Sequence, residues 1–139
     1  MDVLRADQMA LATSLYAALL AALYMFLTIN VIRGRRTHSV ALGDGDVADM
    51  KARIRAHANF AEYAPFFLLL LLMAELQGLA VWAVHGLGVA FVVGRLSHAY
   101  GLLVAETRNR WMTPRVIGLG VTLSCLGMLV LILLAIRFV

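Results

Sequence analysis

The chain is 139 residues long, 63% of them hydrophobic and 14% charged, with a formal net charge of +4 and a mean hydropathy of +0.87. These proportions lie far from the balance of a soluble globular domain and place the chain in lipid, as an all-α integral membrane protein. The basic excess flanks apolar runs, so it reads as a membrane-topology signal and not as a nucleic-acid-binding surface.

A spanning helix needs roughly 20 mainly apolar residues, and four stretches reach that length, at about 11–32, 57–76, 79–104 and 116–138. They leave almost no chain over, so a single transmembrane domain over 1–139, a four-helix bundle, accounts for the sequence. The first run reads as a true spanning helix. Asp2, Arg5 and Asp7 do not make the basic start of a signal peptide, and the run is too long for the apolar core of one.

After the first run, the connection 34–49 carries Thr37, Ser39, Gly43, Asp44, Gly45 and Asp46, a polar turn-forming composition. Its Gly-Asp-Gly-Asp stretch lacks the further oxygen ligands and closing Glu of a calcium loop, and reads as a plain turn. His38 in this connection carries no signal. In the second run, Pro65 removes one backbone hydrogen bond to the Ala61 carbonyl and should bend the helix. In the third, Gly86, Ala90 and Gly94 recur every fourth residue on one stripe, the close-approach pattern by which helices pack in lipid. Gly118, Gly120 and Gly127 in the fourth run are a looser version of it. Cys125, the single cysteine, sits mid-run with no basic flank and reads as a buried small apolar residue.

Orientation follows from sidedness of charge. Arg33, Arg35, Arg36, Lys51, Arg53 and Arg55 lie between the first two runs, and Arg108, Arg110 and Arg115 before the last. The turn around 75–79 has no Lys or Arg. Short basic loops stay in the cytoplasm, so both basic loops are expected inside and both termini away from the cytoplasm.

Ionisable groups inside a bilayer are costly and mark function by default, and here they cluster. At about 100° per residue, Arg55, Asn59, Glu62 and Tyr63 fall within roughly a third of the helix circumference. Arg95 and His98, three apart, share a face of the third helix. Counted from their helix ends at about 1.5 Å per residue, Glu62 and His98 both lie on the order of 8 Å deep. They can form one cavity opening toward the cytoplasm, with Arg35, Arg36, Arg110 and Arg115 at its mouth. A buried Glu62 to Arg95 ion pair is the purely structural alternative. His57 and Glu75 point away from the Arg55 face, and His85 lies in the outer half of its helix; these read as rim or packing residues. Several arginines around one carboxylate suit a small ligand with two or more anionic groups and one ammonium, and composition does not choose among such ligands.

The run Arg55-Ala56-His57-Ala58-Asn59-Phe60-Ala61-Glu62-Tyr63-Ala64-Pro65 resembles the motif that opens the second helix in the MAPEG family, the membrane-associated proteins of eicosanoid and glutathione metabolism. The pair Arg35-Arg36 is similar to the basic residues ending the first helix of its leukotriene-forming synthases. Gly94-Arg95-Leu96-Ser97-His98 looks like the third-helix segment of its prostaglandin E synthase. The likeness covers most of the chain and is nearest to the family's bacterial branch. It implies a homotrimer in a bacterial inner membrane that binds glutathione between subunits and uses it, as transferase or peroxidase, on a lipophilic electrophile or hydroperoxide. Arg55, Asn59, Glu62 and Tyr63 would hold glutathione from one subunit, with Arg35, Arg95 and His98 from the neighbour or the cavity wall. Arg110 and Arg115 are the candidates for stabilising the thiolate. The alternative is a non-catalytic membrane binding or scaffold protein that keeps the same site. One departure stands out, since the family's third-helix tyrosine, four residues beyond His98, is Leu102 here.

Overall fold

The computed structural model describes residues 11–105 and 111–138, which form helices joined by turns, with no strand among the described residues. Helix α1 spans Leu11–His38, α2 Ala48–Leu76, α3 Val81–Tyr100 and α4 Thr113–Phe138, and α3 runs directly into a π-helical turn at Gly101–Ala105. All four are long and apolar enough to cross a membrane. The spanning runs expected from hydropathy are present, but α1 continues past residue 32 and α2 begins well before residue 57. At 28 and 29 residues these two helices are on the order of 42 Å long, more than the ~30 Å hydrocarbon layer requires.

The extensions are braced by polar contacts. The Arg53 guanidinium donates through Nε to Asp49 Oδ2 at 2.7 Å and through Nη1 to the Asn30 side chain at 2.7 Å. His38 Nε2 meets the same Asp49 oxygen at 2.9 Å, so His38 belongs to the last turn of α1 and ties it to the first turn of α2. Asp49 also suits the positive end of the α2 dipole, as Arg35, Arg36 and His38 suit the negative end of α1. Between them the chain turns through positive φ at Ser39, Gly43, Gly45 and Asp46. The Lys51 ammonium, hydrogen-bonded to Asp46 at 2.9 Å, holds the Asp46 carboxyl below its ordinary range.

At the opposite end, α2 stops in a left-handed cap. Gly78 takes φ +92°, its N–H donates to the Glu75 carbonyl and that of Leu79 to the Ala74 carbonyl, both at 3.0 Å. Crossed bonds of this kind satisfy carbonyls a helix end leaves open. The Glu75 side chain, 2% exposed, turns back to accept the Thr13 N–H at 3.0 Å. One helix thus supplies the carboxylate that caps the free N–H groups opening another. Beside it the buried Tyr16 hydroxyl lies 2.9 Å from His85 Nδ1, joining α1 to α3.

The packing is richest between α3 and α4 and between α1 and α2. In lipid this association comes from close fit, and the stacked rings of Phe67 and Phe91, 3.7 Å between centroids, join α2 to α3. Gly94 of the small-residue stripe faces Gly118 and Val121 of α4, whereas Gly86 looks into open space. A Cβ on Gly118 would fall 2.5 Å from the Gly94 carbonyl oxygen and 2.6 Å from the His98 nitrogen. Backbone cannot yield there as a flexible side chain can. Gly118→Ala should therefore cost about 1–3 kcal/mol, read as a lower unfolding midpoint in detergent. Gly120→Ala, with nothing within 4 Å of the added carbon, should be neutral or slightly stabilising through helix propensity; equal losses in both variants would contradict this account of the α3 to α4 contact.

Candidate functional site

The polar residues of α2 divide into two sets that differ in burial. Asn59 is buried and Tyr63 half-buried, both turned toward α3, while Arg55 and Glu62 remain about half exposed. The outer two form an ion pair two turns apart along the same helix, Arg55 Nη1 to Glu62 Oε1 at 3.4 Å. The Glu62 to Arg95 bridge that would have made this cluster purely structural is not among the ion pairs of the described residues.

Among the described residues Arg95 is the largest fully buried side chain, at 1% exposure. Its Nη2 donates to Asn59 Oδ1 at 2.8 Å, and its guanidinium carbon lies 5.7 Å from the centre of the Tyr63 ring. Nε and Nη1 are buried without a hydrogen-bond acceptor. A guanidinium offers its N–H groups as a planar fork that matches a carboxylate. Buried charge with open donors is costly, and an anionic group is the chemistry that would satisfy these two nitrogens.

Below Arg95 the end of α3 is fastened to the start of α4. Ser97 Oγ donates to the Pro114 carbonyl and His98 Nδ1 to the Arg115 carbonyl, each at 2.9 Å. Because a carbonyl only accepts, Nδ1 carries the proton, and in the neutral ring Nε2 is left as an acceptor. Arg115 is thereby fixed by its backbone in the first turn of α4, with its side chain half-buried. Arg110 lies outside the described residues. Leu102 is buried in the π-helical turn, and Tyr100 is exposed on another side. Arg35 is placed apart from the α2–α3 residues, with Nη1 donating to the Gly43 carbonyl at 3.0 Å and more weakly to those of Ala41 and Val40.

The structure thus joins Asn59, Tyr63 and Arg95, pairs Arg55 with Glu62, and ties His98 to α4. Ser97, which shares the task of His98, was not singled out from sequence; a serine one residue before a histidine near a helix end carries no distinguishing pattern.

The model of the MAPEG family matches residues 13–135. Inner membrane protein YecN of Escherichia coli strain K12 is 40% identical over 91 residues, which is 66% of this chain and 70% of that protein. The YecN of Escherichia coli O6:H1 matches with the same identity and coverage. The family match runs from the first turn of α1 to the last turn of α4 and takes in Asn59, Tyr63 and Arg95. This membrane protein belongs to the MAPEG family.

Proposed function

We propose that the protein binds glutathione as co-substrate in a homotrimer of a bacterial inner membrane, both termini away from the cytoplasm, and acts as a glutathione transferase or peroxidase on lipophilic electrophiles or hydroperoxides. The observation that carries the reading is Arg95, buried beside Asn59 and Tyr63 with Nε and Nη1 lacking acceptors. A glutathione carboxylate would complete that fork. Arg55 and Glu62 would take a second carboxylate and the amine. Their half exposure on a membrane helix supports a trimer, since a charged pair in lipid is costly unless another subunit or a water-filled cavity faces it.

Arg115, and Arg110 beyond the described residues, would hold the thiol as thiolate, because neighbouring positive charge lowers thiol pKa. In the transferase reaction the thiolate sulfur bonds to an electrophilic carbon, and the displaced group leaves with its electron pair. In the peroxidase reaction two glutathiones are oxidised to the disulfide while a hydroperoxide is reduced to alcohol and water. Leu102 at the tyrosine position supports a second reading, a binding or scaffold protein without turnover. Calorimetric titration of glutathione into purified detergent-solubilised protein, then conjugation and hydroperoxide-reduction assays, tests both. No binding ends the proposal; binding without conjugation or peroxide reduction selects the second reading.

A further inference from the structure

Two successive backbone carbonyls at the start of α4, those of Pro114 and Arg115, are each held by a side chain of α3. A hydroxyl within a helix ordinarily returns to a carbonyl of its own helix, as Thr122 does to Gly118 at 2.8 Å. Ser97 departs from that habit and donates at 2.9 Å to a carbonyl 17 residues along the chain. One turn further, Gly101 lies so close to α4 that a Cβ there would fall 2.5 Å from the Arg115 nitrogen and 2.8 Å from its Cα. One turn before, Gly94 and Gly118 meet in the same way. Positions 94, 97, 98 and 101 have the spacing of a single helix face.

The glycines set how near the two helices approach, and the two hydrogen bonds set the rotation of the first turn of α4 about its own axis. That rotation decides where the half-buried Arg115 side chain points. The charges of Arg95, Arg115 and Arg55 all act on the His98 ring, so the Arg115 guanidinium lies within electrostatic range of the site at Arg95. Neighbouring positive charge favours a thiolate, and the more so the closer it is held. We infer that Ser97 is a positioning residue for thiolate formation, its bond to the Pro114 carbonyl aiming the Arg115 guanidinium at the glutathione sulfur. The step is an ionisation in which the thiol gives its proton to water and sulfur keeps the bonding pair. The inference rests on the glutathione reading given above. His98 makes the parallel bond but is itself a candidate glutathione contact, so the effect of the clasp is read on Ser97.

Thiolate absorbance of glutathione bound to the full-length detergent-purified protein, followed against pH, tests it. S-methylglutathione, which has no thiol to ionise, is the binding control. In Ser97→Ala the thiolate fraction at neutral pH should fall about threefold or more, with S-methylglutathione bound as in the parent and the unfolding midpoint kept. Ser97→Thr retains the hydroxyl and should restore most of the thiolate. Arg115→Gln should lose at least as much as Ser97→Ala, and the two together no more than Arg115→Gln alone, because a residue acting through another has no effect without it. An unchanged titration in Ser97→Ala overturns the inference, and so does a further loss in the double variant, which would detach Ser97 from Arg115. S-methylglutathione affinity falling in step with the thiolate, or a Ser97→Ala protein that unfolds, would make Ser97 a packing residue and overturn it as well. A parent that binds neither glutathione nor S-methylglutathione ends the reading of the site and the role of Ser97 with it; a parent that binds both with the thiol un-ionised keeps the binding site and ends the role of Ser97 alone.

Discussion

Arg95→Met is expected to abolish glutathione binding while leaving the bundle folded within about 1 kcal/mol of the parent. Exchange of a buried ion for an apolar side chain of similar length is often neutral or stabilising by about 1–4 kcal/mol. Here the charge has no ion-pair partner among the described residues, and two of its nitrogens bond to nothing. Against that gain stands the Asn59 amide, which would lose its 2.8 Å bond at a cost of about 1–3 kcal/mol. The Tyr63 ring contact is worth about 0.5–2 kcal/mol more. These nearly cancel. Binding has no such compensation. A carboxylate accepting two charge-assisted hydrogen bonds at about 1.5–3 kcal/mol each would lose on the order of 100-fold or more in affinity. Arg95→Lys keeps the charge without the planar fork and should fall between. Calorimetry with glutathione and thermal unfolding of the same samples give both numbers. An unfolded Arg95→Met protein would make Arg95 a structural residue, and unchanged affinity would remove it from the site.

Hydropathy made the four spans legible because lipid imposes one simple demand, some 20 apolar residues in a row. It does not report where a helix stops once it leaves the membrane, and α1 and α2 both run on through polar sequence. The Arg53 bonds to Asp49 and Asn30, and the His38 contact, hold those turns helical; only the Asp49 to Arg53 spacing is visible in the chain as a helical pair. Helix-face arithmetic and the matching depths of Glu62 and His98 imply one shared cavity between α2 and α3, and the side-chain bond that the structure places between these helices is the one from Arg95 to Asn59. The arithmetic could not say that Arg55 and Glu62 would turn outward to each other while Asn59 and Tyr63 turn in, because one third of a circumference spans both a packed and an exposed surface. Glu75 shows the same limit. It faces away from the Arg55 side as expected, but its partner is the Thr13 N–H, a backbone group on another helix that no side-chain pattern announces. The stripe of Gly86, Ala90 and Gly94 is a contact at Gly94, where α4 offers Gly118 in return.

Glu62→Gln should produce a folded protein with poor glutathione affinity. If Glu62 receives the glutathione ammonium, loss of its charge should weaken binding by about 1.5–3 kcal/mol, roughly 10- to 100-fold, and Arg55→Gln should weaken it similarly through a carboxylate. Stability should change little. The carboxylate pairs with Arg55 at 3.4 Å with both side chains about half exposed, and exposed pairs are worth about 0–1 kcal/mol. A structural role predicts the reverse pattern. Were Glu62 the neutralising partner of Arg95, Glu62→Gln would leave a buried guanidinium uncompensated at about 3–5 kcal/mol, and Arg95→Leu in the same chain would restore part of it. The absence of that bridge among the described ion pairs favours the ligand role. Unfolding midpoints and glutathione titrations on Glu62→Gln, Arg55→Gln and Glu62→Gln with Arg95→Leu separate the two. A Glu62→Gln protein that unfolds, or one that binds glutathione as tightly as the parent, would end the assignment of Glu62 to the amine.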